Sequence, residues 1–183
     1  MPTKDGFTTL SPDEALQVLI DGNKAFLAGE DSDPPIGVQR RLELAKGQSP
    51  FCAYVTCSDS RVPPELLFGR GLGELFIIRN AGNTVGTAAM GSIEYAVAIL
   101  KVPLVVVMGH ESCGAVDAAR QVIEENARFP GAIDDMIHPI LPAALSVRDR
   151  EGKIDLDDAV HENVRRVVER LRKESDPILL EPQ

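Results

Sequence analysis

The chain of 183 residues has no tryptophan, only 4% aromatic residues and three cysteines. An odd cysteine count without an apolar leader segment argues against a disulfide framework and leaves metal ligation or catalysis as the roles to consider. No apolar run approaches the roughly 20 residues that span a bilayer, and the first residues show no secretory signal. We therefore expect a cytoplasmic protein that does not enter a membrane.

Positive charge is also scarce, because 19 Lys and Arg stand against 28 Asp and Glu, which gives a formal net charge of −9. Nucleic-acid binding needs concentrated positive charge, so we expect no nucleic-acid partner. The one local basic cluster, within 165–173, alternates with glutamates, and we interpret it as the solvated face of a helix.

Apolar periodicity predicts strands that alternate with helices. A capping box between Ser11 and Glu14 begins the first helix, Gly29 ends it, and a linker with two prolines follows over 31–37. The further predicted helices cover 38–46, 88–100, 114–127, 134–147 and 157–173, and the predicted strands cover 51–56, 74–78 and 103–108. This order predicts one α/β domain over 1–183, with a mostly parallel sheet flanked by helices.

Two of the predicted strands end in clusters of polar and thiol side chains. Cys57, Asp59 and Arg61 follow the first strand, and His110 and Cys113 follow the third. Ligands of open parallel sheets bind at the carboxyl ends of strands, so the two clusters converge if these strands are neighbours. Two thiolates and an imidazole suit Zn²⁺, and three protein ligands leave a fourth tetrahedral position for water or an acidic side chain, as in catalytic zinc sites.

At these clusters the sequence resembles the β-class carbonic anhydrases. Residues 57–62 (CSDSRV) match the family's C-x-D-S-R signature, and residues 109–114 (GHESCG) match its G-H-x-x-C-G signature. Further segments match in order and spacing at 73–76, 79–83 and 92–97. The resemblance covers nearly the whole chain, and several ordered motifs make it highly specific.

The resemblance implies a zinc enzyme that reversibly hydrates carbon dioxide to bicarbonate and a proton through zinc-bound hydroxide. It implies that Cys57, His110 and Cys113 hold the zinc. It also implies that Arg61 holds Asp59 in an open, active form, whereas Asp59 itself binds zinc in a closed, inactive form. The residues expected at the substrate are Gln48, Phe76, Tyr95 and Gly114. The glycine should also let the backbone pack closely where the following helix begins.

The resemblance further implies self-association as a homodimer or a dimer of dimers, with the N-terminal helical arm and linker over 1–37 reaching a partner subunit. Family members usually continue past 177–179 into a last strand at the sheet edge. That strand is missing here, so we expect an unpaired edge and a dimer rather than a tetramer. Cys52 matches no ligand position and should be core, whereas His138 and His161 should lie at the surface.

Three alternatives stay open. The same zinc site in a differently shaped pocket would hydrolyse carbonyl sulfide or carbon disulfide. A catalytically silent scaffold or binding protein would use zinc for stability alone, although such a protein has no need of the Asp59–Arg61 pair. A thiol redox protein would require Cys57 and Cys113 to pair with each other, and the sequence contains no C-x-x-C motif.

Overall fold

The protein is represented by a computed structural model, which describes residues 6–30 and 32–174. The helices of these ranges are α1 (Pro12–Ala28), α2 (Val38–Leu44), α3 (Pro64–Leu67), α4 (Thr87–Ala98), α5 (Gly114–Glu125), α6 (Ala132–Ile137), α7 (Leu141–Ser146) and α8 (Leu156–Glu174), with 3₁₀ turns at Ala81–Asn83 and His138–Ile140. The strands are β1 (Cys52–Thr56), β2 (Leu75–Arg79) and β3 (Val105–Val107). Among the described residues, no helix has the length and apolar character needed to cross a bilayer.

The three strands form one sheet in the order β2-β1-β3. Backbone hydrogen bonds advance in the same direction along both strands of each pair, from Phe51 N–Glu74 O to Asn80 N–Thr56 O beside β2, and from Ala53 N–Leu104 O to Met108 N–Val55 O beside β3. The sheet is therefore parallel, and the predicted α/β class is confirmed. All residues of β1 are buried, which explains why this segment is continuously apolar rather than alternating.

The chain divides into two compact units. The first consists of the described residues of Met1–Tyr54, Ser60–Ile78 and Gly91–Val106, and the second of those of Val55–Asp59, Arg79–Met90 and Val107–Gln183. Each strand has its amino-terminal residues in the first unit and its carboxyl-terminal residues in the second. The residues that follow β1 and β3, which carry the predicted metal ligands, therefore belong to the second unit. The predicted domain boundaries and the arm over 1–37 stay predictions.

In the first unit, α1 packs tightly against α3. The Ser11 hydroxyl caps α1 by accepting from the Glu14 amide, as the capping box predicts. Gly22 of α1 lies so close to the end of α3 that a Cβ there would collide with the carbonyl oxygen of Phe68. The Phe68 ring in turn contacts the ring of Tyr54 from β1, with the centroids 5.2 Å apart. The absence of a side chain at position 22 therefore allows α1 to pack closely against Phe68, which belongs to the core of this unit.

We expect Gly22→Ala to lower the free energy of unfolding by about 1–3 kcal/mol, because the added methyl group has to displace backbone atoms next to α3. The matched control is Gly91→Ala in α4, where a Cβ would meet no described atom within 4 Å outside the backbone of its own helix. Alanine there should raise helix stability by about 0.5–1 kcal/mol. Urea unfolding measures both changes. Equal stability of the two variants would contradict the close contact between α1 and α3.

In the second unit, α5, α7 and α8 pack around an apolar core. Buried side chains of this core include Cys57, Cys113, Val116, Ile137, Ile140, Ala144 and Val160. Helix α8 also buries Asn163, which is only 4% exposed. A polar side chain inside an apolar face requires hydrogen-bond partners, and those of Asn163 lie beside the metal centre described below.

The structure refines two predictions about the helices. The helical stretch predicted over 134–147, which two prolines interrupt, consists of α6, a 3₁₀ turn and α7 in succession. The breaks coincide with Pro139 and Pro142, because proline lacks the amide hydrogen that continues a helix. The sequence also predicts no helix at Pro64–Leu67, where the structure has the single turn of α3. The predicted loss of a last strand falls after residue 174 and lies outside the described residues.

Candidate metal centre

Three potential metal ligands converge at the carboxyl ends of β1 and β3. Cys57 directly follows β1, His110 follows β3, and Cys113 directly precedes α5. One ligand atom of each residue lies within 4.8 Å of those of the other two, and the two sulfur atoms are 4.0 Å apart. Both cysteines are buried and form no disulfide. Because β1 and β3 are neighbours, the structure brings together the three residues that the sequence nominates.

The donor atoms and their spacing fit a zinc ion. Tetrahedral zinc bonded at about 2.3 Å to two sulfurs holds them about 3.8 Å apart, close to the observed 4.0 Å. Nε2 of His110 is buried and has no hydrogen-bond partner among the described residues, while Nδ1 lies 2.9 Å from the carbonyl oxygen of Glu111. A carbonyl oxygen only accepts, so Nδ1 carries the proton and donates it. The lone pair of Nε2 is then left for a metal.

The pKa values of the two thiols are shifted in opposite directions. A hydrogen bond from the Cys113 thiol stabilises the Cys57 thiolate and lowers the pKa of Cys57. The same hydrogen bond, together with burial, raises the pKa of Cys113. Backbone amides at the start of α5 act in the opposite direction and favour a Cys113 thiolate, as expected at a helix N-terminus. The Cys57 thiol is therefore the more readily ionised of the two, and the Cys113 thiol releases its proton when a cation binds.

Helix α8 positions His110 through a close approach to Gly109. A Cβ on Gly109 would lie 2.8 Å from side-chain atoms of both Val160 and Val164, so the backbone passes at a distance that only glycine permits. The sequence places such close packing at Gly114, and this prediction is wrong. A Cβ on Gly114 would meet no described atom within 4 Å, and the residue is exposed at the start of α5. Its place at the substrate stays a prediction.

The loop that carries Cys57 and Asp59 is anchored by Arg79 at the end of β2. Nε of Arg79 donates to the Cys57 carbonyl oxygen at 2.9 Å, and Nη2 donates to that of Asp59. The Gly82 amide donates to the Cys57 sulfur at 3.3 Å. The carboxylate oxygen Oδ2 of Asp59 lies 3.9 Å from Nε2 of His110, which is beyond hydrogen-bond distance. Asp59 thus borders the three ligands without being one of the mutually close group.

Most of the other predicted site residues belong to the first unit. The rings of Phe76 and Tyr95 stack with their centroids 6.2 Å apart and an interplanar angle of 30°. Tyr95 is about half exposed, at 48%. Gln48 and Arg61 are exposed as well. The pocket roles of these residues, and the pairing of Arg61 with the carboxylate of Asp59, stay predictions.

The expectations for Cys52, His138 and His161 are confirmed. Cys52 is fully buried within β1, and burial raises the pKa of its thiol to about 12, so it is an inert core residue. Both histidines are exposed. Neither belongs to the group of three residues that could hold a metal ion.

The sequence does not predict the residues that hold the Cys57 loop and the Gly82 turn in place. Arg79 and Gly82 lie in the matched segment 79–83, but the motif alone does not reveal that they hold the Cys57 loop. Asn163 donates to the Gly82 carbonyl oxygen at 2.9 Å from a helix 81 residues further along the chain. One signal could have found it: Asn163 stands three residues after Val160 in the apolar stripe of α8, where a polar residue is unexpected.

Known proteins resemble this chain over most of its length. The carbonic anhydrase family model matches residues 52–181. A carbonic anhydrase of Mycolicibacterium smegmatis is 40% identical over 168 residues, which cover 92% of this chain and 81% of that protein. A tetrameric β-carbonic anhydrase of Sordaria macrospora has a TM-score of 0.64 and 29% identity, and the match covers 76% of this chain and 72% of that chain. A β-carbonic anhydrase of Coccomyxa in complex with acetazolamide has a TM-score of 0.66 and 30% identity, covering 75% of this chain and 64% of that chain.

The chain therefore belongs to the carbonic anhydrase family, and its structural neighbours are members of the β class. The family that the sequence motifs predict is confirmed.

Proposed function

We propose that this protein is a zinc enzyme that interconverts carbon dioxide and bicarbonate. The observation that carries the proposal is the convergence of Cys57, Cys113 and the unpartnered Nε2 of His110 within 4.8 Å, in a chain of the carbonic anhydrase family. Three protein ligands leave one tetrahedral position open, which is the pattern of a catalytic zinc site. A closed structural site has four protein ligands instead.

The chemistry follows from the ligands and from the carboxylate beside them. Zinc, when bound, supplies Lewis acidity that lowers the pKa of a coordinated water to about 7. His110 donates from Nδ1 to the Glu111 carbonyl oxygen, which leaves the lone pair of Nε2 as the ligand. Asp59 accepts a hydrogen bond from the attacking water and directs its lone pair at carbon dioxide. Arg61 is proposed to orient the Asp59 carboxylate, as the family resemblance implies. Two thiolate ligands reduce the net positive charge and moderate the acidity.

We further propose that Gln48, Phe76 and Tyr95 contact carbon dioxide. The substrate is small and apolar, so it suits a surface of aromatic rings with one amide donor. The stacked pair of Phe76 and Tyr95, half exposed on one side, supports this assignment. Gly114, exposed directly after the ligand Cys113, is proposed to leave room for the substrate beside the metal.

The protein is proposed to act as a homodimer or a dimer of dimers, with its N-terminal arm on a partner subunit. Apolar side chains of α1 support this, because Leu16, Ile20 and Leu27 are 43%, 39% and 75% exposed. The Sordaria macrospora relative is described as tetrameric. Sedimentation equilibrium tests the proposal. A monomer at micromolar concentration would contradict it.

The alternatives find less support. A redox role requires the two sulfurs to bond, but at 4.0 Å they are spaced as two ligands of one metal ion, and both cysteines are free. No described feature favours carbonyl sulfide or carbon disulfide over carbon dioxide. A silent zinc scaffold shares the three ligands, and only an activity measurement separates it from an enzyme.

Isotope exchange tests the proposed function directly. We expect the zinc-loaded protein to accelerate the loss of ¹⁸O from labelled bicarbonate, followed by membrane-inlet mass spectrometry. Removal of zinc by a chelator should return the exchange to its uncatalysed rate, and added zinc should restore it. Acetazolamide should slow the exchange, since the Coccomyxa relative was solved with it. Full zinc without exchange would favour the scaffold, and faster release of hydrogen sulfide from carbonyl sulfide would favour the hydrolase.

A further inference from the structure

The sulfur of Cys57 accepts a hydrogen bond from the protein itself. The backbone amide of Gly82 lies 3.3 Å from Sγ, and both residues are buried. A thiolate ligand that accepts an amide hydrogen is stabilised as an anion and gives less electron density to its metal. The position of the Gly82 amide therefore bears on how the site holds a metal.

The backbone around Gly82 has an uncommon conformation that must be held in place. Gly82 lies in the left-handed region at φ 65°, and the next residue, Asn83, is also left-handed at φ 46°. A non-glycine residue such as Asn83 pays a steric penalty there. A Cβ on Gly82 would lie 2.6 Å from Cδ1 of Ile140 and 3.0 Å from Cβ of Ala115, so the segment is also tightly enclosed.

The side chain of Asn163 on α8 ties this segment down. Its Nδ2 donates to the Gly82 carbonyl oxygen at 2.9 Å and approaches Oδ1 of Asn83 at 3.4 Å. Asn163 is 4% exposed, so water does not substitute for it readily. These contacts hold the carbonyl group of Gly82 in place, while its amide donates to the Cys57 sulfur. Asn163 thus supports the hydrogen bond from the Gly82 amide to the Cys57 sulfur indirectly, through the Gly82 carbonyl group.

We propose that Asn163 is a positioning residue of the metal centre, which acts by holding the Gly82 amide on the sulfur of Cys57. The inference rests on the proposed zinc site and extends it to a residue 106 positions away from Cys57 in sequence. It also assigns α8 a second contribution to the site, beside its contact with Gly109. Removing the amide of Asn163 should loosen the turn and weaken the hydrogen bond without touching a ligand.

Asn163→Leu, which keeps the branch at Cγ but removes the donor, should weaken zinc binding about 10-fold, the lower end of the effect seen for outer-shell partners of metal ligands. Competition with a chromophoric chelator measures this change. In the Co²⁺-substituted protein, the sulfur-to-cobalt charge-transfer band should move to longer wavelength. The reason is that a sulfur with a weaker hydrogen bond gives up its electron more easily.

Leu171→Ala is the matched control, because Leu171 is equally buried on α8 at 4% exposure and lies about two helical turns beyond Asn163. It should lower stability while leaving zinc affinity and the cobalt band unchanged. Identical zinc affinity and identical cobalt spectra in Asn163→Leu and the unsubstituted protein would overturn the proposal. So would an equal weakening of zinc in the Leu171→Ala control.

A second measurement does not depend on whether Asn163→Leu folds. In the unsubstituted protein loaded with ¹¹³Cd, a scalar coupling across the N–H···S hydrogen bond should connect the Gly82 amide proton to the metal. Absence of that coupling in a cadmium-loaded protein would contradict the proposed role of Asn163 and leave the metal centre itself unaffected. Failure of the chain to bind cadmium would overturn the metal centre and, with it, the role of Asn163.

Discussion

Replacing Cys113 with serine should abolish stoichiometric zinc binding. The Cys113 sulfur is one of three ligand atoms that lie within 4.8 Å of one another. Zinc prefers a thiolate, and a neutral hydroxyl is a poor substitute, so two ligands remain where three are needed. We expect zinc content to fall from one per chain to near zero after dialysis against a chelator, and carbon dioxide hydration to fall to the background rate. Elemental analysis and stopped-flow hydration measure the two effects.

The loss of zinc should also lower stability. A ligand present at about 1,000 times its dissociation constant stabilises the folded state by about 4 kcal/mol, and Cys113→Ser forfeits this linkage. Cys52→Ala is the matched control, because Cys52 is equally buried but lies outside the ligand group. It should keep one zinc per chain and lose only about 1 kcal/mol for the small cavity. A Cys113→Ser protein with full zinc would remove Cys113 from the ligand set.

Replacing Asp59 with asparagine should separate metal binding from catalysis. Asp59 borders the site, with Oδ2 at 3.9 Å from Nε2 of His110, but it is not in the mutually close group of ligands. We therefore expect normal zinc content. An amide has no negative charge with which to accept and orient the attacking water, so kcat should fall by about 10²–10⁴, the range of a lost general base. Zinc content and kcat should be measured on the same sample.

The control for this variant is Asp158→Asn, which removes an exposed carboxylate at the start of α8 and should leave both zinc and kcat unchanged. Unchanged turnover in Asp59→Asn would discard the proposed role of Asp59. Loss of zinc in the same variant would instead assign Asp59 a ligand role in the resting protein, as in the closed form that the family resemblance implies.

The ligand group was predictable because it depends on strand order alone. Cys57 and His110 each follow a continuously apolar run, and neighbouring parallel strands bring their carboxyl ends to one edge of the sheet. Cys113 then lies one turn beyond His110. The chemistry of two thiolates and one imidazole favours a borderline-soft ion such as zinc without any knowledge of the fold.

The support around the ligands was not predictable from local pattern. The contact between Asn163 and Gly82 joins residues 81 positions apart, and no periodicity encodes which two elements meet. For the same reason the sequence places close backbone packing at Gly114, whereas the structure places it at Gly109, where α8 passes. Which glycine is crowded depends on a neighbour that only the tertiary fold supplies. The break between α6 and α7, by contrast, is predicted by a local feature, the prolines at 139 and 142.

Stopped-flow hydration of carbon dioxide, with zinc quantified in the same sample, tests the central claim most directly. The assay follows a pH indicator from about pH 7 upward, where a zinc-coordinated water with a pKa of about 7 ionises. We predict fast hydration with one zinc per chain, and loss of both when the zinc is removed. Full zinc occupancy without hydration at any pH in this range would contradict the account and leave a metal-stabilised protein without the proposed activity.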